Sequence, residues 1–205
     1  MPTMTESPIL SIGDWNTNAE MIVDVAKLGL LPGAVFDATY GEGNFWTKWK
    51  PEFLLTNDLH KPADACWDWT EPLPADFHFV ADTVVFDPPY KLNGTPTDTD
   101  RYGVHEKVTV AERIQRILAG AINCGSILPR GGTLAVKVQD QVANGQMYYQ
   151  TDMVRDVLRA IGFRKEAVFH LKTNPRPQRS QVRARNNFST LLIFQRTDLP
   201  PVRDE

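Results

Sequence analysis

Cysteine is scarce in this 205-residue chain: there are two, Cys66 and Cys124, in unrelated contexts. The four histidines are scattered, and no CxxC or HxxxH spacing occurs. That scarcity excludes a disulfide framework, argues against a metal site, and suits reduced thiols in a cytoplasmic protein. No apolar run approaches the ~20 residues of a membrane span. The opening MPTMTESPILSIGD lacks the basic and apolar regions of a signal peptide, so neither membrane insertion nor export is expected. There is no internal repeat, no low-complexity tract and no dividing linker, so residues 1–205 read as a single domain. G-K-[ST] and G-x-S-x-G are both missing, which removes P-loop and nucleophile-elbow chemistry.

Apolar residues at 42% and charged residues at 23% are ordinary for a globular protein, but the charge is unevenly spread. Residues 1–162 carry 13 Lys and Arg against 21 Asp and Glu, whereas residues 163–196 carry 8 against one. A basic segment on an acidic body fits a local polyanion contact, and a solvated basic hairpin accounts for it equally well. Its centre, KTNPRPQRSQVRARNN (172–187), offers Lys172, Arg176, Arg179, Arg183 and Arg185. Phosphate binding is the preferred functional reading over guanine-edge readout.

Hydrophobic periodicity predicts alternating elements. Met21, Ile22, Val25, Leu28 and Leu31 form a helical face over 18–31, with Gly33 as its stop. AVFDAT (34–39), EFLLTND (52–58), ADACWDW (63–69), DTVVFD (82–87) and TLAVKVQD (133–140) read as strands. A short helix follows the first of these at NFWTKWK, and longer helices are expected over 108–128 and 148–162. The stretch 91–107 reads as a long polar loop. FRKEAVFHLK and NFSTLLIFQR, joined by the basic connection, add two strands in succession. The pattern predicts a doubly wound α/β fold with a mostly parallel, seven-stranded sheet and an antiparallel strand at its far end.

Acids cluster where those strands end, the edge at which open α/β sheets bind ligands. The first strand runs into Asp37 and then a turn with Gly41 and Gly43, where backbone can approach a ligand closely. Trp46 stands where the dinucleotide pattern GxGxxG needs a small residue, so that pattern is ruled out. Asp58 ends the second strand, where an acid can bind two ribose hydroxyls, and Leu59 beside it can press on an adenine face. Asp68, between Trp67 and Trp69, can accept from an exocyclic amine while the indoles stack. The buried strand TVVF (83–86) then stops at Asp87-Pro88-Pro89-Tyr90, because two prolines remove consecutive N–H donors and fix φ.

Together these residues resemble the S-adenosylmethionine-dependent amino-methyltransferases that modify adenine N6 or cytosine N4 in DNA. The matching residues are Asp37-x-x-x-Gly41-x-Gly43, Asp58, Asp68 and Asp87-Pro88-Pro89-Tyr90, within roughly residues 17–140. The resemblance implies a Rossmann-like class I methyltransferase domain; no separate target-recognition domain is expected, since no stretch is long enough for one. It implies S-adenosylmethionine as cofactor, held by Asp37, Thr39, Gly41, Gly43, Asp58, Leu59, Asp68 and Trp69. Where the family usually has an aromatic residue two positions before the first glycine, this chain has Thr39, with Tyr40 beside it.

The Asp-Pro-Pro-Tyr turn suits the implied reaction. A base amine is a weak nucleophile because its lone pair is delocalised into the ring. An ionised Asp87 can accept one N–H and the Pro88 carbonyl the other, on a turn that two prolines stiffen. Tyr90 offers a face on which an extruded base can stack. Asp rather than Ser at the head of the motif favours adenine N6 over cytosine N4 by resemblance. DNA is therefore the expected partner, with RNA as the alternative, and neither membrane nor metal is expected. Carbon-5 methylation would need a poised Cys, and neither Cys66 nor Cys124 stands in such a context. A ribosomal-RNA guanine-N2 methyltransferase and a catalytically idle nucleic-acid- or cofactor-binding relative remain the competing readings.

Overall fold

The computed structural model describes residues 8–74, 81–92, 108–173 and 183–197. Its elements run α1 (Asn18–Lys27), β1 (Val35–Asp37), β2 (Leu54–Thr56), β3 (Thr83–Phe86), α2 (Val110–Ile127) and β4 (Thr133–Val138). They continue as β5 (Gln141–Ala143), β6 (Gln146–Tyr148), α3 (Gln150–Ala160), β7 (Phe163–Lys172) and β8 (Phe188–Arg196), with a 3-10 turn at Asn44–Trp46 after β1. The main sheet has six strands in the order β2-β1-β3-β4-β8-β7. β2, β1, β3 and β4 are parallel, and β8 runs antiparallel to both β4 and β7. The antiparallel strand therefore lies one place inside the edge, with β7 outermost.

Period-two alternation sorts the sheet residues onto two apolar layers. Phe36, Val84, Phe86, Leu134, Val136, Leu192 and Phe194 pack with Ile117, Ala121 and Cys124 of α2 and Val154 and Leu158 of α3. Val35, Val85, Ala135, Leu191 and Ile193 pack on the other face with Met21, Ile22 and Val25 of α1 and with Trp15, Phe45 and Trp46. Both faces of β3 and β4 are covered, which explains why these strands read as unbroken apolar runs. Among the described residues, no helix is long and apolar enough to cross a membrane.

Two expectations are corrected. Helix α1 stops at Lys27, because Gly29 N and Leu30 N bond to Ala26 O and Val25 O in a Schellman turn. Gly33 is not its terminator, and Leu28 is exposed rather than on the buried face. The third predicted strand, ADACWDW, shrinks to one parallel bridge between Asn57 and Ala65, which leaves six strands in the main sheet instead of seven. Side chains replace the ladder there: Thr56 N and Thr56 Oγ1 both donate to Asp64 Oδ2, at 2.9 and 2.7 Å. Trp67 N donates to Asn57 Oδ1 at 2.7 Å. The predicted helices over 108–128 and 148–162 form with shorter bounds, the first opened by a Thr109–Glu112 capping box at its N-terminus. Residues 141–148 form an unpredicted hairpin turning on Asn144 and Gly145, both at positive φ.

Candidate active site

Three neighbouring parallel strands end at one edge. Register pairs Asp37 of β1 with Val85 of β3, and Phe86 of β3 with Val136 of β4. Alternation then brings Asp37, Asp87 and Lys137 onto the same side of the sheet, above the layer that contains Val35, Val85 and Ala135.

Asp37 is 3% exposed. Its Oδ2 accepts from Trp46 Nε1 at 2.7 Å and its Oδ1 from Thr39 N at 3.0 Å. Burial pushes this carboxyl up to about 7; the Trp46 and Thr39 bonds oppose the rise, and the charge on Asp87 adds to it. An unfolded Asp loses its proton near pH ~3.9. Between there and neutrality the folded state holds the extra proton, so this group's contribution to stability declines as pH rises through that window. Urea unfolding should show an Asp37→Asn variant, relative to wild type, gaining on the order of a few kcal/mol between pH 4.5 and pH 8. A variant offset independent of pH would contradict this titration.

The glycine turn is built for close approach. Gly41 has φ +58, and a side chain there would meet only Thr39 O, at 3.8 Å, so its surface is open. Gly43 has φ +66, and a Cβ would lie 2.7 Å from the Tyr40 hydroxyl. Asp58 spans the same turn: Oδ2 accepts from Gly41 N at 3.1 Å, and Oδ1 accepts from His60 N and Lys61 N, each at 2.8 Å. Three of about four carboxylate acceptor sites are therefore used inside the protein, leaving one for a ligand hydroxyl. Leu59 beside it is 40% exposed, an apolar surface open to a ring. An open glycine turn flanked by an acid and an apolar side chain fits a nucleoside-bearing cofactor.

Asp68 is exposed, and its Oδ1 accepts from Thr70 N and Thr70 Oγ1. Trp69 is half-buried, and its ring meets Phe86 edge-on with centroids 5.1 Å apart. Trp67 is buried beside Phe36 and belongs to the core, whereas Trp69 packs against that core from outside.

The Asp87–Tyr90 turn is pinned from three sides. Asp87 N donates to Thr39 Oγ1 at 2.7 Å, which ties it to the turn after β1. Gln150 Nε2 donates to Tyr90 O at 3.0 Å and to Gln139 O at 2.5 Å. Leu92 N donates to Gln141 Oε1 at 3.1 Å. Lys137 lies under the turn with Nζ 3.2 Å from Asp87 Oδ1, 3.4 Å from Asp87 Oδ2 and 3.2 Å from the Tyr90 hydroxyl. Burial holds the Asp87 carboxyl above its ordinary range, and the Lys137 ammonium opposes that rise by charge and hydrogen bonding. Burial would strip the Lys137 proton, but Asp87 and Tyr90 outweigh that and hold the ammonium above its ordinary range.

Lys137, Gln150, Asn57 and Trp46 were not among the residues expected from sequence. Each had a signal: a polar side chain, or a large indole, at a position that the apolar pattern assigns to the interior. Asn57 is fully buried and links three segments, donating to Ala38 O and Trp67 O. The buried Cys124 thiol is pushed up by burial and by Asp37, which leaves it a protonated core residue; Cys66 is exposed.

The basic connection starts and ends at this same edge, since Lys172 pairs with Phe188 and Val138 with Thr190. Asn186 docks there, its carbonyl accepting from Gln139 Nε2 at 3.3 Å and its Nδ2 donating to Asp140 at 3.4 Å. Lys172, Arg183 and Arg185 are exposed, and Arg183 Nε donates to Gly145 O at 2.6 Å. Arg176 and Arg179 lie outside the described residues, as does most of the predicted 91–107 loop. Among the described residues, no group of three His, Cys, Asp or Glu is arranged to hold a metal ion.

No protein-family model and no curated protein matches this chain. Solved structures do. The N-methyltransferase NodS from Bradyrhizobium japonicum WM9 superposes with TM-score 0.51 at 13% identity, covering 87% of this chain and 96% of NodS. A protein described as a hemolysin from Lactococcus lactis gives TM-score 0.54 at 10% identity, covering 87% of this chain and 86% of its own. A protein from Listeria monocytogenes, described as a class I S-adenosylmethionine-dependent methyltransferase, gives 0.50 at 14%, covering 97% and 66%. At such identities the likeness is one of fold, and that fold is the mostly parallel, Rossmann-like sheet of the class I S-adenosylmethionine-dependent methyltransferases.

Proposed function

We propose that this protein is an S-adenosylmethionine-dependent methyltransferase acting on an exocyclic base amine, adenine N6 in DNA. The observation that carries the reading is the 2.7 Å bond from Asp87 N to Thr39 Oγ1, which joins the Asp-Pro-Pro-Tyr turn to the glycine turn. A ligand cradled at Gly41 and an amine held at Asp87 would thus meet across neighbouring strand ends. Asp37, Gly41, Asp58 and Leu59 are the residues that would hold the cofactor, which supplies an electrophilic methyl on a sulfonium. Asp87 and the Pro88 carbonyl accept hydrogen bonds from the two amine N–H groups and draw the nitrogen towards tetrahedral geometry as its charge develops; once the methyl has left the sulfonium for the nitrogen, one of those two protons is released. Tyr90 presents a ring for the extruded base. Methyl-labelled cofactor incubated with separate DNA and RNA pools tests the reading. Label is expected in DNA; label confined to RNA would overturn the choice of polymer.

The basic connection is the proposed phosphate-binding element, because the rest of the chain is acidic and would repel nucleic acid. Replacing Arg179, Arg183 and Arg185 with Ala should weaken DNA binding. The log–log salt slope should flatten by about 0.9 for each phosphate that is no longer neutralised, with cofactor affinity and Tm nearly unchanged. An unchanged slope would make the segment a solvated face. Lys91, Arg101 and Lys107 would then be the next candidates.

A further inference from the structure

Lys137 is a cation in the middle of the molecule. It is 4% exposed, in a strand whose six residues are all buried. Lysine is almost never buried so deeply without a partner. An ion pair in such a place does not out-stabilise an apolar side chain of similar size. Met or Leu would complete the apolar run of β4, so folding gives no reason for a charge there. The contacts supply one. The Lys137 ammonium faces Asp87 and the Tyr90 hydroxyl, the two side chains assigned to the target amine and its base. Asp37, on the next strand, sets a second acid near Asp87. Two neighbouring carboxyls favour a shared proton, which would cost Asp87 its role as an acceptor.

We propose that Lys137 is a positioning residue for methyl transfer, its ammonium keeping the Asp87 carboxyl ionised and fixing Asp87 and Tyr90 in the pose that receives the amine. The contacts leave room for this. Nζ lies at 3.2 and 3.4 Å from the two carboxylate oxygens, so neither is saturated. The side chain of Asp87 stays 24% exposed against 5% for Lys137, so the acid faces outward and the cation backs it. The titratable groups that face Asp87 are Lys137 from β4, Tyr90 from its own turn and Asp37 from β1. The inference rests on the methyltransferase reading for its reaction, but its electrostatic core is measurable without any substrate.

The test follows Asp87 directly. Carboxyl carbon-13 NMR of the whole chain, with the Asp87 resonance identified by its loss in Asp87→Asn, gives the titration midpoint in the wild type. Asp87 is expected to be ionised at pH 7; a neutral Asp87 there overturns the proposal with no variant needed. In Lys137→Met, which keeps the stem and removes the charge, the midpoint should rise by at least ~1 pH unit, the usual effect of losing an adjacent opposite charge. The acid limb of the methyl-transfer pH profile should move up with it, so that activity recovers as pH is raised. Lys137→Arg, retaining the charge, should keep the wild-type midpoint. A lower rate plateau with the limb unmoved would mean that Lys137 only supports the turn, and would overturn the proposal. A shifted midpoint in a protein that methylates nothing would support the ion pair and overturn the reaction reading alone.

Discussion

Replacing Asp87 by alanine is expected to slow methyl transfer at least ~100-fold, the scale of losing a preorganised electrostatic partner in the transition state. Cofactor affinity should change little, because the glycine turn and Asp58 are untouched. Single-turnover transfer and calorimetry on the same preparation separate the two effects. The structure adds a control. Alanine leaves the Lys137 ammonium buried without its carboxylate, which itself destabilises the fold. Asp87→Asn keeps an acceptor near Lys137 and lacks the charge, so it should lose rate with a smaller fall in Tm. Near-normal turnover in both variants would remove Asp87 from the reaction.

Cofactor affinity should respond most to Asp58. Its carboxylate holds Gly41, His60 and Lys61 N–H groups and keeps one acceptor site for a ligand hydroxyl. Asp58→Ala releases the glycine turn and removes that acceptor together. Binding of S-adenosylmethionine should weaken by roughly 1.5–3 kcal/mol, the range for hydrogen bonds to a charged group. Calorimetry would show this as a loss of about ten- to over a hundred-fold. Unchanged affinity would mean that the nucleoside is held elsewhere along the strand ends.

Much of this architecture is legible in the residues, for reasons that differ by element. Thr83–Phe86 and Thr133–Val138 are covered on both faces, so their apolar runs are continuous and read directly as buried parallel strands. Asp37 and Asp87 end or follow such runs, and Asp58 follows the shorter apolar stretch of the edge strand β2, so the positions of all three at strand ends were legible. The predicted third strand failed because its segment is tied to β2 by one backbone bridge at Ala65, by Asn57 Oδ1 accepting from Trp67 N, and by the Asp64 carboxylate accepting from Thr56. Alternation alone cannot distinguish that arrangement from a ladder. Trp67 was read as a stacking surface because aromatic rings serve in both cores and binding faces; only three-dimensional packing separates the two uses. Lys137 was hidden by being read as one residue of a strand pattern. A lone charge inside an apolar strand calls for a partner, and its partner, Asp87, lies fifty positions away in the turn that follows β3. The Asn144-Gly145 hairpin was the opposite case, a strong local signal that was passed over.

Identifying the methylated atom tests the central claim most directly. Unmethylated duplex DNA, incubated with the protein and methyl-labelled S-adenosylmethionine, would be digested to nucleosides and resolved by mass spectrometry. The account predicts N6-methyldeoxyadenosine carrying the label in wild-type digests and its loss with Asp87→Ala. Label on carbon-5 of a pyrimidine, or N6-methyldeoxyadenosine made equally well without Asp87, would contradict it.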